Sequence, residues 1–392
     1  MTLSKYTLLF LFVIYSLGAN SQVLNYVSGA ERTDLYIDGL KHKKIAIIAN
    51  PTSVIGSSHL VDSLLKLKVK IKCVFAPEHG FRGNAEAGEH IDNGIDAKTG
   101  IKVISLYGKH YKPTKEDLNG VDVVIFDIQD VGVRFYTYIS TLQYVMEACS
   151  SNRIPLIVLD RPNPNGFYID GPVLDTAFKS FVGMQPIPVV HGMTMGEYAR
   201  YLNGEYFSSK KNKCELKVIP VSNWDHKSHV NLSIPPSPNL PNMASIYLYP
   251  SLCFFEGTKI SVGRGTEYPF QIFGYPDSKS GEFTFKPISI PGKSKNPLYE
   301  NIVCRGFNVK EYGEKFAPTA GQLNLSWLIQ LYTEANNKND FFNSFFDKLA
   351  GTDKLQNQIQ EGYSEEQIRN SWGEEIEKYK VVRKKYLLYQ DF

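Results

Sequence analysis

Between residues 43 and 160 the chain alternates short apolar runs with stretches of helical period, a pattern that few architectures accept. The runs, at 45–49, 71–75, 102–106, 121–128 and 154–159, are dense in Ile and Val and lack the every-second-residue polarity of a half-exposed strand. They predict strands covered on both faces, in a parallel sheet whose crossover helices include 57–67 and 138–150. A helix over 194–202 and a strand over 216–221 extend the same α/β unit. The segment 234–241 reads IPPSPNLP, and four prolines in eight residues exclude both helix and central strand, so it is the predicted domain boundary. That gives a first domain over 22–240 and a smaller mixed α+β domain over 241–392. The second has β-like pieces at 246–255 and 281–285 and helices at 323–334, 341–349 and 365–388. A length of 392 residues suits two domains of ordinary size.

The N-terminus predicts export. Lys5 precedes an apolar run over 8–17, the length of a signal-peptide core and too short to span a hydrocarbon layer roughly 30 Å thick. Ala19 and Ser21 form a small-residue cleavage site, so residues 1–21 are expected to be removed before Gln22. No cysteine follows closely enough to take a lipid, and the expected location is periplasmic or secreted. Five cysteines, an odd number without a C-x-x-C pair, leave at least one thiol free and read as buried small hydrophobes. A net charge of +3 with 21% charged residues argues against an electrostatic nucleic-acid binder. Aromatics at 13% fit sugar-stacking surfaces and ordinary large cores equally well.

Function is concentrated where the predicted strands end. Asn50-Pro51-Thr52, Pro77 to Gly83, Asp127 to Arg134 and Asp160 to Gly166 all lie at carboxyl ends of strands, the edge at which open α/β sheets bind ligands. Four of the ten arginines, Arg82, Arg134, Arg161 and Arg264, fall in these loops or in the similar Gly-rich stretch 261–266. A guanidinium fork suits a ligand carboxylate or phosphate, although each arginine could equally pair with a loop acid such as Asp130 or Asp160. No phosphate-binding loop, G-x-G-x-x-G, H-E-x-x-H or G-x-S-x-G is present, which leaves nucleotide, zinc and serine chemistry without a motif, and no cofactor or metal is expected. Carboxylate chemistry remains. Glu78, between Pro77 and His79 directly after a buried strand, sits where apolar walls and a rigid turn would tune and aim a general acid. Glycosidic cleavage usually takes a second carboxyl, for which Glu89, Asp130 and Asp160 are candidates.

The same segments carry a resemblance. FAPEHGFRG at 75–83 with AGE at 87–89, DIQDVGVRFYTY at 127–138, DRPNP at 160–164, HGMT at 191–194, PSPN at 236–239 and the stretch 257–266 together resemble the exo-β-N-acetylmuramidase (NamZ-like) family over nearly all of the mature chain. The resemblance implies a Rossmann-like catalytic domain, a smaller auxiliary domain, a cleft between them, and release of N-acetylmuramic acid from the non-reducing ends of peptidoglycan fragments. It places the family's catalytic glutamate at Glu78, and His79, Glu89 and Asp130 join it as candidate catalytic residues. Candidate substrate-binding residues are Asn50, Arg82, Arg134, Tyr136, Asp160, Arg161, Asn163, His191, Asn239 and Arg264. Muramic acid bears a lactyl carboxylate that an arginine could read, and its 2-acetamido group could itself assist the reaction. Two other classes fit parts of the pattern. A non-catalytic muropeptide-binding protein would not need Glu78, and a metal-dependent peptidoglycan amidase would use His79 and His191 as ligands.

Overall fold

The structure is a computed structural model that describes residues 26–82, 93–207 and 213–392. Its centre is a sheet built from β1 (Lys44–Ala49), β2 (Lys70–Ala76), β3 (Gly94–Ile95), β4 (Lys102–Ser105), β5 (Val123–Asp127), β6 (Leu156–Leu159) and β7 (Leu216–Ile219). Their spatial order is β3-β4-β2-β1-β5-β6-β7. Six strands run parallel and the two-residue β3 closes one edge antiparallel to β4. The order doubles back between β1 and β5, the switch point at which sheets of this kind open a crevice.

The unbroken apolar runs follow from what covers the sheet. Ala46 and Ile48 of β1 face one core with Phe75, Val124, Phe126 and Val158. Their neighbours Ile45, Ile47 and Ala49 face a second core with Val74, Ile125 and Leu159. Every position of such a strand needs an apolar side chain, so alternation disappears. The crossover helices α1 (Leu60–Lys66), α2 (Tyr138–Asn152) and α3 (Met195–Tyr201) lie where helical period predicts them. A capping box at Thr194 and Glu197 opens α3.

The smaller C-terminal part carries a three-stranded antiparallel sheet, β8 (Ile272–Tyr275), β9 (Phe283–Phe285) and β10 (Cys304–Asn308), with β10 central. The expectation of β structure over 246–255 is overturned there. The chain forms helix α4 (Met243–Leu252) and then a 3₁₀ turn (Cys253–Gly257). Asn242 and Ser245 cap its start reciprocally, and Ala244, Ile246, Leu248, Tyr249 and Leu252 are all buried. A helix apolar on nearly every side shows no stripe, and Pro250 within it reads as a breaker. Later come α5 (Ser326–Glu334), α6 (Phe346–Ala350), α7 (Glu365–Ser371) and α8 (Gly373–Arg383). The single helix expected over 365–388 is thus broken at Trp372, whose indole donates to Asp170 at 3.2 Å.

All five cysteines are buried and free. Residues 1–21, read from sequence as a signal peptide, and Glu89 lie outside the described residues. Among the described residues no helix is long and apolar enough to cross a membrane.

Candidate active site

Glu78 leaves β2 in the turn Pro77 to Gly80, closed by the Gly80 N–H on the Pro77 carbonyl at 3.0 Å. Its third residue, His79, adopts φ +70°, a conformation usually left to glycine or asparagine. The turn borders a cavity, and His79 lines it.

That cavity, about 190 Å³, joins the two halves of the molecule. Glu78, His79, Tyr107 and residues 135–137 enter it from the carboxyl edge of the sheet. Ser237 and Asn239 come from the proline-rich segment, which is a wall of the cavity, and Glu256, Arg264, Phe270 and Phe345 from the C-terminal part. Tyr136 ties the edge loop to the proline-rich wall by donating to the Pro236 carbonyl at 2.8 Å.

Glu78 accepts a hydrogen bond on Oε2 from Thr137 Oγ1 at 2.8 Å. Thr137 occupies the N-cap of α2, yet its hydroxyl makes no capping bond. A residue chosen for capping gives its hydroxyl to the carboxylate instead. Tyr107 also bonds to Glu78, and burial together with the Glu78 charge pushes its phenol well above the ordinary range. Below, the Tyr138 hydroxyl sits 3.4 Å from the Glu78 carbonyl and accepts from Asn50 Nδ2 at 3.0 Å. Asn50 therefore braces the floor without lining the cavity. A hydroxyl can donate to a carboxylate and accept from a carboxylic acid, so Thr137 and Tyr107 can serve Glu78 in both protonation states.

The second carboxylate that lines the cavity, among the described residues, is Glu256. Arg264 Nε donates to its Oε1 at 2.6 Å, and the guanidinium lies 5.0 Å over the Phe270 ring. Burial opposes the Arg264 charge, but Glu256 beside it outweighs that and raises the arginine's pKa. Both side chains remain about a quarter exposed, at 26% and 24%. Among the described residues Arg264 uses only Nε on a protein acceptor, so its terminal amino groups keep donors for a ligand.

The structure does not bring the other three loop arginines to this cavity. Arg82 grips Asp96 through Nε and Nη2, both at 2.8 Å, and reaches Asp62 at 3.2 Å. Arg161 clasps Asp127 at 2.6 and 3.0 Å and adds the Val54 carbonyl. Arg134 is wholly buried on the carbonyls of Pro172, Ile187, Leu349 and Ala350, and burial lowers its pKa to about 9. Gly351 makes room for it, since a Cβ there would meet Arg134 Nη2 at 2.7 Å.

The remaining candidates also hold the framework. Asp160 accepts from Thr194 Oγ1, the Gly196 N–H and the Tyr389 hydroxyl, and burial still raises its pKa to about 6. Asp130 is buried with Oδ2 on the Gly132 N–H at 2.7 Å, and desolvation raises its pKa to about 7. Asn163 lies against Gly132, which has φ +74° and no space for a Cβ, and donates to the Met193 carbonyl. His191 is buried with Nδ1 accepting from the Met193 N–H, and burial lowers its pKa to about 3. Asn239 lines the cavity and donates to the Lys293 carbonyl at 2.9 Å. Among the described residues no group of three or more His, Cys, Asp or Glu could hold a metal ion.

Tyr107, Thr137 and Glu256 were not among the candidates that sequence suggested. Thr137 and the stretch beginning at Gly257 lie in or beside the resembling segments, so proximity was the only available signal for them.

Two family models divide the chain between them: the N-terminal model of exo-β-N-acetylmuramidase NamZ matches residues 45–244 and its C-terminal model residues 247–389. A peptidoglycan β-N-acetylmuramidase NamZ of Bacillus subtilis is 41% identical over 376 residues, covering 90% of this chain and 89% of that protein. Two crystal structures of DUF1343-family proteins from Bacteroides fragilis superpose with TM-scores of 0.87 and 0.77 at 45% and 28% identity. Each covers 94% of this chain and 100% of the other.

Proposed function

The chain belongs to the exo-β-N-acetylmuramidase NamZ family, and on that premise we propose that Glu78 is its acid/base group and Arg264 its reader of the substrate's lactyl carboxylate. It is a glycoside hydrolase whose substrate is peptidoglycan. The finer reading is that it takes N-acetylmuramic acid from the non-reducing ends of peptidoglycan fragments outside the cytoplasmic membrane, after export directed by residues 1–21.

One observation carries this reading: a single cavity is lined by a carboxyl partnered by hydroxyls and by a guanidinium with donors to spare. A general acid must lose a proton to the leaving oxygen and then recover one from the attacking water. Glu78, held by Thr137 and Tyr107, can accept either state. Glu256 is suited to a different duty, because its ion pair with Arg264 fixes the aim of that guanidinium. An anionic sugar entering the cavity exchanges water for the Arg264 fork, whereas a neutral N-acetylglucosamine unit leaves that fork without an anion.

The test is incubation of the mature protein with a disaccharide carrying muramic acid at its non-reducing end, followed by mass analysis. Free N-acetylmuramic acid and N-acetylglucosamine are expected. An intact disaccharide, or loss of a peptide from a peptide-bearing fragment with the sugars still joined, contradicts the reading.

A further inference from the structure

Beside the cavity stands a group of aromatic rings that no core accounts for. Tyr107, Tyr111, Tyr144 and Phe181 are each partly exposed, and none belongs to the hydrophobic cores. They touch one another nevertheless. Tyr111 and Phe181 have ring centroids 4.4 Å apart, Tyr144 and Phe181 stack at 6.2 Å and 11°, and Tyr107 lies 6.0 Å from Tyr111 and 6.5 Å from Phe181. The group is continuous with the cavity, because Tyr107 lines it and bonds to Glu78 while Val182, next to Phe181, lines it too.

We propose that this aromatic cluster is the leaving-group subsite, a stacking platform for the neutral 2-acetamido sugar to which muramic acid is linked. The inference rests on the muramidase reading above. The cavity, at about 190 Å³, is below the roughly 300–1,000 Å³ that encloses a drug-sized ligand, and it has room for one sugar residue. The scissile oxygen must lie within hydrogen-bond reach of Glu78, so the second sugar leaves the cavity over the neighbours of that carboxyl. Tyr107 is such a neighbour and is also the first ring of the cluster. A pyranose presents an apolar C–H face, and part-exposed aromatic rings give it a large contact area at little cost in side-chain entropy. Lys112, next to Tyr111 and 42% exposed, is held by Glu147 at 2.8 Å and offers an ammonium to the sugar's hydroxyls.

Steady-state kinetics on the mature chain separates this from the reading beneath it. The substrates are the muramic-acid-terminated disaccharide and the methyl β-glycoside of N-acetylmuramic acid, which lacks a second ring. In Tyr111→Ala and in Phe181→Ala the preference for the disaccharide, taken as the ratio of the two kcat/KM values, should fall by roughly tenfold, mainly through KM. Tyr111→Phe should restore the preference, since it keeps the ring. The methyl glycoside reports folding of each variant in the same assay. A ratio within twofold of wild type in both Ala variants overturns the platform while leaving the muramidase reading intact. Wild-type protein that cleaves neither glycoside overturns both.

Discussion

Arg161 and Arg264 each hold a carboxylate through Nε at 2.6 Å, and by that distance they are the same interaction. Their surroundings make them different. Arg161 is 7% exposed against a fully buried Asp127, its Nη2 returns to the same carboxylate, and that nitrogen also reaches the Val54 carbonyl. Arg264 and Glu256 are each about a quarter open, make one bond between them, and stand in a cavity wall. A two-pronged pair shut away from solvent fixes two loops of the sheet edge to each other; a part-exposed pair in a cavity wall has donors within reach of a ligand. The same contrast separates the acids. Asp130 and Asp160 sit wholly inside with their loops folded around them, whereas Glu78 lies in the cavity on two hydroxyls.

Exchanging residues between the two regions should therefore have opposite consequences. Glu78→Gln should lower turnover of a muramic-acid disaccharide by about 10²–10⁴-fold, the range for loss of a general acid or base, with the circular dichroism melt unchanged. Near-wild-type turnover in a folded variant would break the assignment. Arg161→Ala should act on stability, because it strands Asp127 in the interior, at a cost of about 3–5 kcal/mol by urea unfolding. Little change in the urea midpoint would mean that the two regions are less distinct than their hydrogen bonds indicate.

Asp130 sharpens the contrast through pH. Its folded pKa, about 7, lies above the ordinary carboxylate value of 3.8, so the folded state binds the proton more tightly. This contribution is fully present below about pH 4 and is lost as pH rises toward 7. Asp160, raised to about 6, acts in the same direction, while His191, lowered to about 3, loses stability as pH falls below the usual histidine value. The clean measurement is a difference. The stability of Asp130→Asn relative to wild type should rise between pH 4 and 7, by at most a few kcal/mol, and be level above 7. A flat difference would show that Asp130 is ionised throughout. The smallest effect belongs to Arg82, whose side chain is 27% exposed, so that water can reach Asp96 and Asp62 once it is removed. Arg82→Ala should cost about 1 kcal/mol or less and leave the preference for lactyl-bearing substrates unchanged, as paired stability and kinetic assays would show.

What could be read in advance follows the same physics. The strands were legible because a sheet covered on both faces needs apolar residues at every position, as β1 and β5 show. Glu78 was legible because proline, glutamate, histidine and glycine after a buried strand have no reason to be there for packing. Helix α4 was not, since a segment buried all round carries no period. The arginines were legible as a group and not as individuals. Spacing places Arg134 and Arg264 in similar glycine-rich loops, but only the fold decides that four carbonyls converge on one and a single carboxylate on the other. Glu256, between Phe255 and Gly257, looks like a turn residue until α4 and its 3₁₀ extension carry it to the far wall of the cavity.

Specificity tests the Arg264–Glu256 pair most directly. Wild-type protein and Arg264→Ala would be compared on two glycosides with the same leaving group, one of N-acetylmuramic acid and one of N-acetylglucosamine, with kcat/KM as the readout. The wild type should favour the lactyl-bearing sugar strongly, and the variant should lose about 2–5 kcal/mol on that sugar alone, narrowing the gap. Equal kcat/KM for the two sugars on wild type, or an equal loss on both in the variant, would contradict the claim that the open Arg264–Glu256 pair reads the substrate.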